Sequence, residues 1–177
     1  MTSDQRVEGS NPSGRTNLIL FQLLFSEDIY RFMFSALQQA ELAFEKDEVP
    51  VGAVVVYQNK IIGRGHNQME SLNDSTAHAE MIAITAASNY LKEKFLDECS
   101  IFITLEPCLM CTGAILLSRI KNVYFGAFEP KFGAAGSVYN LLAENKFPNN
   151  INVYSGIYAE ESQNLIQSFF IKKRKVN

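Results

Sequence analysis

The sequence predicts a single α/β domain, in which one mostly parallel β-sheet carries helices on both faces. Short, β-branched apolar segments alternate along the chain with longer segments whose apolar residues recur at helical spacing, which is typical of that fold class. The chain has 177 residues, about the size of one domain, and no linker long enough to divide a core interrupts it. Its composition, 47% hydrophobic and 20% charged, is that of a globular protein and excludes the disordered and collagenous classes.

The individual elements follow from local signals. Ser26 and the two acidic residues after it predict a helix N-terminus, and the apolar residues as far as Phe44 lie three or four apart. Gln58 and Asn59 can turn the chain between two apolar segments, which predicts a β-hairpin, and Pro107 suits the first position of a helix. The predicted order is a helix over residues 26–44, strands over 51–57 and 60–63, a helix over 76–91, a strand over 101–105, a helix over 107–120, a strand over 123–127, a short helix over 138–144, a strand over 151–154 and a helix over 160–175.

The N-terminus differs in character from the rest of the chain. Residues 1–17 are polar and without periodicity, and we predict a disordered or poorly ordered extension over residues 1–25 ahead of a folded domain over 26–177. The apolar run at residues 18–25 is not followed by a small-residue cleavage site, so it does not favour secretion. Three cysteines are too few for a disulfide scaffold, and no apolar stretch is long enough to span a bilayer. These features favour a reducing, cytoplasmic location without a membrane partner.

Charge is distributed unevenly along the chain. The formal net charge is −3, so the protein does not bind nucleic acid merely by being basic. Residues 1–118 contain 8 basic and 15 acidic side chains, whereas residues 119–177 contain 8 and 4. A polyanionic partner is therefore expected to meet the C-terminal third, where Lys131 and the basic run 172–175 are candidate phosphate contacts. The same run also suits the C-terminal end of a helix dipole, and the two roles are compatible.

Two short motifs predict a metal site. Cys108 and Cys111 are three residues apart at the start of a predicted helix, so both sulfurs lie on one face and can bind one ion. His78 is a third candidate ligand, and sulfur combined with imidazole favours zinc. Because the chain has only two histidines, a structural site with four ligands is hard to assemble. Three protein ligands leave one coordination position for water, which is typical of catalytic zinc.

A carboxylate follows the candidate histidine ligand. Glu80 lies two residues after His78, close enough to act as a general base on a zinc-activated water without ligating the ion. Either motif alone is a weak signal, because C-x-x-C also occurs in redox and structural sites. The alternative from another class is a non-enzymatic, zinc-stabilised binding module. That alternative requires a fourth protein ligand, for which Cys99 is the one candidate thiol.

The two motifs together resemble a known catalytic signature. His78-Ala79-Glu80 and Pro107-Cys108-Leu109-Met110-Cys111 match the H-x-E and P-C-x-x-C pattern of the zinc deaminases. Residues 26–175 resemble the bacterial tRNA-specific adenosine deaminases almost throughout, with similar stretches at 48–54, 74–80, 104–111, 118–120 and 133–137. The resemblance implies a three-layer α/β/α, cytidine-deaminase-like fold around a mixed sheet of about five strands. It also implies one Zn²⁺ per subunit, a homodimer, and hydrolysis of adenosine to inosine at the wobble position of tRNA, with the anticodon stem-loop as the partner.

The same resemblance assigns roles to individual residues. Glu80 is expected to shuttle a proton, and His78, Cys108 and Cys111 to hold the zinc. The substrate contacts that the resemblance implies are Asn67, Glu48, the backbone N–H of Ala79, Glu129 and Lys173. Position in the chain adds Lys131 and Phe170, with one of Phe169 and Phe170 expected to pack in the core and the other to stack on a base. The alternatives are a loop-capping role for Asn67 and a solvated charge at Glu48. Three positions depart from the family pattern and are expected to alter RNA affinity but not the zinc chemistry: Glu129 for aspartate, Lys173 for arginine, and Pro148-Asn149-Asn150 for Asn-His-Arg.

A second deaminase function shares these motifs. An enzyme acting on free guanine, cytosine or cytidine would use the same zinc ligands and Glu80, so the catalytic residues do not separate the two substrates. The longer match at residues 105–111 and 133–137, together with the basic C-terminal helix, favours RNA.

Overall fold

Five strands and five helices alternate along the part of the chain that the computed structural model describes, residues 25–143 and 150–176. They are α1 (Glu27–Glu45), β1 (Gly52–Tyr57), β2 (Lys60–His66), α2 (Met69–Leu72), α3 (Ala79–Leu91), β3 (Ser100–Leu105), α4 (Leu109–Leu117), β4 (Asn122–Ala127), a 3-10 turn (Leu141–Ala143), β5 (Asn152–Tyr154) and α5 (Ala159–Val176). None of these helices combines the length and the apolar character needed to cross a bilayer. The predicted extension lies outside the described residues, except for Phe25, whose ring packs edge-on against Tyr30 and Tyr154.

The strands form one mixed sheet in the order β2-β1-β3-β4-β5. β1 pairs antiparallel with both β2 and β3, whereas β3, β4 and β5 are parallel. The alternation of strands and helices predicted a mostly parallel sheet, and the hairpin accounts for the difference, because a two-residue turn can only join antiparallel strands. The mixed sheet of five strands implied by the resemblance is confirmed.

Helices cover both faces of the sheet, which gives three layers. Along β1, Ala53 and Val55 point into one core with α3 and α4, and Val54 and Val56 point into the other core with α1. Side chains alternate between the two faces of a strand, so a strand covered on both sides is apolar throughout rather than alternately polar. This explains the continuous apolar run in β1. α5 packs against β4 on the face that carries α1.

A close approach between strand and helix positions the functional edge of the sheet. Gly65, near the end of β2, lies so close to α3 that an added Cβ would overlap the carbonyl oxygen of Ala79. Glycine therefore lets β2 end directly beside the first turn of α3. β2, β3 and β4 run in one direction, so their C-terminal ends meet at the same edge. Ligand sites in open α/β sheets form at this edge.

Several predicted boundaries are wrong for local reasons. The helix predicted from residue 76 begins at Ala79, because Asp74 Oδ1 accepts hydrogen bonds from the backbone N–H and the hydroxyl of Thr76 and holds a turn there. The helix predicted over 107–120 covers only 109–117, because Cys108 is an extended N-cap. The four-residue helix α2 was not predicted, and a 3-10 turn replaces the short helix predicted over 138–144, whose last residue lies outside the described part. The other elements have the predicted type.

Candidate active site

The three predicted ligands meet at the start of two helices. His78 is the N-cap of α3, Cys108 is the N-cap of α4, and Cys111 lies in the first turn of α4. His78 Nδ1 is 3.7 Å from Cys108 Sγ and 3.5 Å from Cys111 Sγ. All three ligand atoms lie within 4.8 Å of one another. The two helix starts thus bring together side chains 30 and 33 residues apart in the chain.

These distances fit tetrahedral zinc. Zinc binds sulfur at about 2.3 Å and imidazole nitrogen at about 2.0–2.1 Å, so two ligands at the tetrahedral angle are about 3.6 Å apart. The nitrogen–sulfur distances of 3.5 and 3.7 Å lie on either side of that value. Thiolate and imidazole are also the ligands that select zinc over magnesium or calcium. The geometry and the chemistry of His78, Cys108 and Cys111 therefore fit a zinc ion.

The local electrostatics favour a thiolate. A hydrogen bond from the Cys111 thiol lowers the pKa of Cys108 to about 4, and the neighbouring His78 contributes in the same direction against the effect of burial. The same hydrogen bond raises the pKa of Cys111, because the proton is held between the two sulfurs. Helix N-termini carry partial positive charge, which further stabilises sulfur anions. The thiolate, which is the form of cysteine that binds zinc, is thus already the favoured form of Cys108.

Within residues 25–143 and 150–176, no fourth His, Cys, Asp or Glu joins this cluster. Cys99 is buried in the core at the start of β3, where burial raises the pKa of its thiol to about 11. His66 ends β2, and its Nε2 is 3.1 Å from Lys46 Nζ. The binding-module alternative, which needed a fourth ligand, has no support in this part of the chain. Three protein ligands are the arrangement of a catalytic zinc.

Glu80 lies beside the ligands without belonging to the cluster. Its side chain is only 3% exposed and lines the same cavity as His78 and Cys108. Burial raises the pKa of Glu80 to about 7, although the nearby His78 opposes the shift. A carboxyl group with a pKa near the working pH can both accept and donate a proton, which is what general acid–base catalysis requires.

A cavity of about 720 Å³ opens in front of these residues. The cavity brings together most of the predicted site: Asn67, His78, Glu80, Cys108, Glu129, Lys131 and Phe170. The apolar part of the cavity wall was not identified from the sequence. It is formed by Val49, Val51, Met69, Leu105, Leu109, Met110, Phe132 and Ile166. An apolar cleft with a few convergent polar groups is the usual form of a small-ligand site, and this one is large enough for a nucleoside.

Asn67 and Ala79 are joined to each other. The backbone N–H of Ala79 donates a 2.9 Å hydrogen bond to Asn67 Oδ1, so this donor is engaged by Asn67. Asn67 Nδ2 has no hydrogen-bond partner among the described residues, and Asn67 lines the cavity. With its oxygen tied down, the amide presents its two N–H donors in a fixed orientation. Asn67 is thus held in one orientation at the cavity wall.

Glu48 does not line the cavity. Its two carboxylate oxygens accept hydrogen bonds from the backbone N–H groups of Glu70 (3.0 Å) and Ser71 (2.7 Å) in α2. Burial acts to raise the pKa of Glu48, but these hydrogen bonds outweigh it and the net shift is downward. At 1% exposure Glu48 is not a solvated charge either. The structure places it behind the wall, where it holds α2 against the loop before β1.

Glu106 is a functional residue that sequence reasoning missed. The buried carboxylate accepts hydrogen bonds from the backbone N–H groups of Glu129 (3.0 Å), Ala135 (2.9 Å) and Ser137 (2.9 Å). All three donors belong to the loop that follows β4 and carries Glu129 and Lys131 into the cavity wall. Gly133 lies so close that an added Cβ would overlap this carboxylate. The one available signal was an acidic residue directly beside Pro107 in an otherwise apolar segment.

Replacing Glu106 with Gln is expected to loosen this loop. One oxygen of the carboxylate becomes an NH₂ group that faces N–H donors, so we expect the free energy of unfolding to fall by about 1–3 kcal/mol. We also expect KM for the substrate to rise more than kcat falls, because this loop brings Glu129 and Lys131 to the cavity wall, whereas the zinc ligands lie at the starts of α3 and α4. Chemical denaturation and steady-state kinetics measure both effects. Glu98→Gln, on an exposed carboxylate, is the matched control, and equal stability of the two variants would contradict the role of Glu106.

The C-terminal helix contributes two aromatic residues with different environments. Phe169 is buried against Phe44, whereas Phe170 is 47% exposed and lines the cavity. Lys173 does not line the cavity, and its Nζ lies 2.5 Å from Asp47 Oδ2. Of the run 172–175, this lysine and Lys172 are both paired with Asp47. Asn150 is the one described residue of the segment 148–150, and the other two lie outside the described part.

A mixed sheet between helical layers, with His-Cys-Cys ligands at two helix starts and a buried carboxylate beside them, defines a zinc-dependent deaminase. Residues 26–127 match the family model of the cytidine and deoxycytidylate deaminase zinc-binding region. The chain belongs to this family, and the predicted hydrolytic deaminase with a zinc cofactor is confirmed.

Individual relatives show to which kind of deaminase the chain is similar. The chain is 44% identical over 144 residues to the tRNA-specific adenosine deaminase of Bacillus subtilis (strain 168), covering 81% of this chain and 89% of the relative. It is 45% identical over 143 residues to that of Aquifex aeolicus (strain VF5), covering 81% and 94%. A structure from a study of A-to-I editing by tRNA:A34 deaminases at the wobble position of transfer RNA matches with a TM-score of 0.73 and 41% identity, over 76% of this chain and 98% of the other. The predicted resemblance to tRNA-specific adenosine deaminases is therefore confirmed.

Proposed function

We propose that this chain deaminates adenosine to inosine at the wobble position of tRNA. The observation that carries the proposal is the three-ligand zinc site beside buried Glu80, at the base of a cavity that fits a nucleoside. The identity of 44% and 45% to tRNA-specific adenosine deaminases supports the choice of substrate. The overall reaction is adenosine plus water giving inosine plus ammonia.

The residues divide the reaction between them. His78, Cys108 and Cys111 hold the zinc, which when bound lowers the pKa of a water from about 16 toward 7 and so supplies a nucleophile at neutral pH. Glu80 takes a proton from the attacking water and passes it to ring nitrogen N1 as C6 becomes tetrahedral. It then takes the second proton, from the new hydroxyl group on C6, and delivers it to the amino group, so that the C6–N6 bond breaks and ammonia leaves as the C6 carbonyl of inosine forms. Asn67 Nδ2 donates to the nucleotide and fixes its position.

The cavity accepts a base only when that base leaves its stack. A base paired within a duplex cannot reach the bottom of a cleft, so the target must be single-stranded or turned out, as in an anticodon loop. Phe170 on the cavity wall supplies a face on which a neighbouring base can stack. Lys131 at the rim forms no ion pair with any described residue, so its ammonium group is available to phosphate.

A substrate comparison tests the proposal. The zinc-loaded chain is incubated with an anticodon stem-loop that carries a wobble adenosine, with the same RNA in which that adenosine is base-paired in the stem, and with free adenosine, guanine, cytosine and cytidine. We expect inosine, detected by nucleoside mass analysis, in the first RNA alone. Ammonia release from a free base or nucleoside, with the stem-loop unchanged, would contradict the proposal and support a deaminase of free bases or nucleosides.

We also propose that two copies associate in the cytoplasm through α4. Leu109, Gly113 and Leu117 lie four residues apart on one helical face, and Leu117 is 79% exposed. No atom lies within 4 Å of a Cβ built on Gly113, so the face between the two leucines is open. An exposed apolar stripe of this kind suits a second copy related by two-fold symmetry. Sedimentation should give twice the chain mass of 19.9 kDa, and Leu117→Glu should reduce it to the monomer value.

A further inference from the structure

One carboxylate holds both lysines at the basic end of α5. Asp47, in the loop after α1, has Oδ2 at 2.5 Å from Lys173 Nζ and Oδ1 at 3.7 Å from Lys172 Nζ. The hydrogen bond from Lys173 lowers the pKa of Asp47, and both lysines add to the shift, so the carboxylate is ionised throughout the neutral range. It is the one carboxylate that forms an ion pair with the run 172–175 within the described residues.

This ion-pair cluster lies beside the cavity. Phe169 packs edge-on against Phe170, with ring centroids 5.5 Å apart, and Phe170 lines the cavity. Lys173 is one helical turn from Phe170 and shares Asp47 with Lys172, so both ammonium groups lie close to the side of the cavity that Phe170 lines. A strand whose base stacks on Phe170 can therefore reach them with a flanking phosphate. Asp47 therefore places a negative charge beside the basic run 172–175 of α5.

Resting on the proposed function, we propose that Asp47 limits RNA affinity by competing with phosphate for Lys172 and Lys173. RNA must displace the carboxylate from both ammonium groups before its own phosphate can bind them. All three side chains are about half exposed, so the pairs are weak and exchangeable rather than permanent. Removing the charge should then strengthen RNA binding rather than weaken it.

The alternative role for Asp47, that of holding α5 in place, predicts that removal of its charge weakens RNA binding. If Asp47 were needed to position the helix, its loss would displace Phe170 and weaken binding. The helix end has other contacts, however. Phe169 is buried against Phe44 with ring centroids 5.9 Å apart, Lys172 lies over the Phe44 ring at 5.3 Å, and Lys173 lies over the Phe169 ring at 5.5 Å. These contacts keep α5 in place when Asp47 is replaced by Asn, which favours the role of Asp47 as a competitor of phosphate.

The test compares two charge-removing variants in stem-loop binding. Fluorescence anisotropy measures the Kd of a labelled wobble-adenosine stem-loop over a range of salt concentrations, in a Glu80→Ala background that prevents turnover. Asp47→Asn is expected to lower Kd by about 3- to 10-fold at low salt, and to steepen the plot of log Kd against log salt by about 0.7 for each additional phosphate that a lysine neutralises. Glu45→Gln removes the same charge two residues away, where no ion pair to a described residue exists, and should change Kd less than about 2-fold.

A double-mutant cycle tests whether Asp47→Asn changes the Kd through Lys172 and Lys173. In a Lys172→Gln/Lys173→Gln background, Asp47→Asn should have no effect on Kd, because the groups for which it competes are gone. Unchanged or weaker binding by Asp47→Asn overturns the inference, as does equally tightened binding by Glu45→Gln or tightening that persists in the lysine-free background. Turnover of the same RNA by the chain with Glu80 intact is followed in parallel. RNA that is bound but not deaminated contradicts the proposed function while the Asp47 effect is still measured, and RNA that is neither bound nor deaminated overturns both.

Discussion

Replacing Glu80 with Ala should lower turnover of a wobble-adenosine stem-loop by about 10²- to 10⁴-fold, which is the usual contribution of a positioned general acid–base group. The physical reason is that the buried carboxyl group lines the cavity next to the zinc ligands with its pKa raised to about 7 by burial, and in the proposed mechanism it moves the protons from water to the base and to the departing amino group. Single-turnover kinetics isolates this chemical step from RNA binding and product release.

The Glu80→Ala variant should still bind zinc and RNA. Glu80 does not belong to the ligand cluster, so metal analysis should give one zinc per subunit, and the Kd for the stem-loop should change little. Glu98→Ala, on an exposed carboxylate, is the matched control and should retain full turnover. Near-normal turnover by Glu80→Ala, with zinc present, would rule out the proton shuttle. A loss of zinc would instead show that Glu80 supports the ligands.

Removing a zinc ligand should have an even larger effect on activity. Cys111→Ala deletes a buried ligand, and a water whose pKa is about 16 rather than about 7 provides almost no nucleophile at neutral pH. We expect turnover to fall at least as far as in Glu80→Ala, and zinc content to fall toward zero. The thermal midpoint should also fall, because the ion joins the starts of α3 and α4 and its binding energy contributes to folding.

Cys99→Ala provides the control for that experiment. Cys99 is a buried thiol of the same kind, but it lies outside the ligand cluster and its pKa is raised to about 11. This variant loses a small amount of packing, so its thermal midpoint should fall slightly while zinc content and turnover stay normal. If Cys99→Ala lost zinc as Cys111→Ala does, the three-ligand site would be wrong. Added chelator should reproduce the Cys111→Ala phenotype in the unmodified chain and leave the Cys111→Ala variant unchanged.

The secondary structure and the two cysteine ligands could be predicted because they rest on short-range spacing, whereas His78, 30 and 33 residues away, was assigned from its residue type and its motif. Cys108 and Cys111 are three residues apart at a helix start, and helix geometry alone places their sulfurs together. Apolar periodicity indicated the strands and the long helices, and most errors fell at boundaries or in short elements, as where Asp74 and Thr76 form a turn instead of the first turn of α3 and where the four-residue helix α2 was missed. Local bonding at the ends of elements competes with periodicity, which is why boundaries are the weakest part of such predictions.

The roles of the remaining site residues depend on contacts between distant segments. The sequence led us to expect that Lys173 contacts phosphate. Its partner in the structure is Asp47, 126 residues away, and no local pattern in the sequence indicates that pair. Glu48 matched a carboxylate near the base pocket, yet its oxygens hold the backbone of α2 22 and 23 residues further along the chain. Glu106 carried no motif of its own, although it organises the whole loop after β4.

The sequence by itself determined that Cys108 and Cys111 share one helix face and that Glu80 lies two residues after His78, since these depend on residue identity and on local spacing. The tertiary structure brought His78 to the two cysteines, because they begin different helices. The tertiary structure alone decided what each outlying charge does. A carboxylate or an ammonium group takes its function from the partner that folding brings within about 3 Å, because charge-assisted hydrogen bonds act only at that range. That partner is chosen by the packing of the layers and not by proximity along the chain.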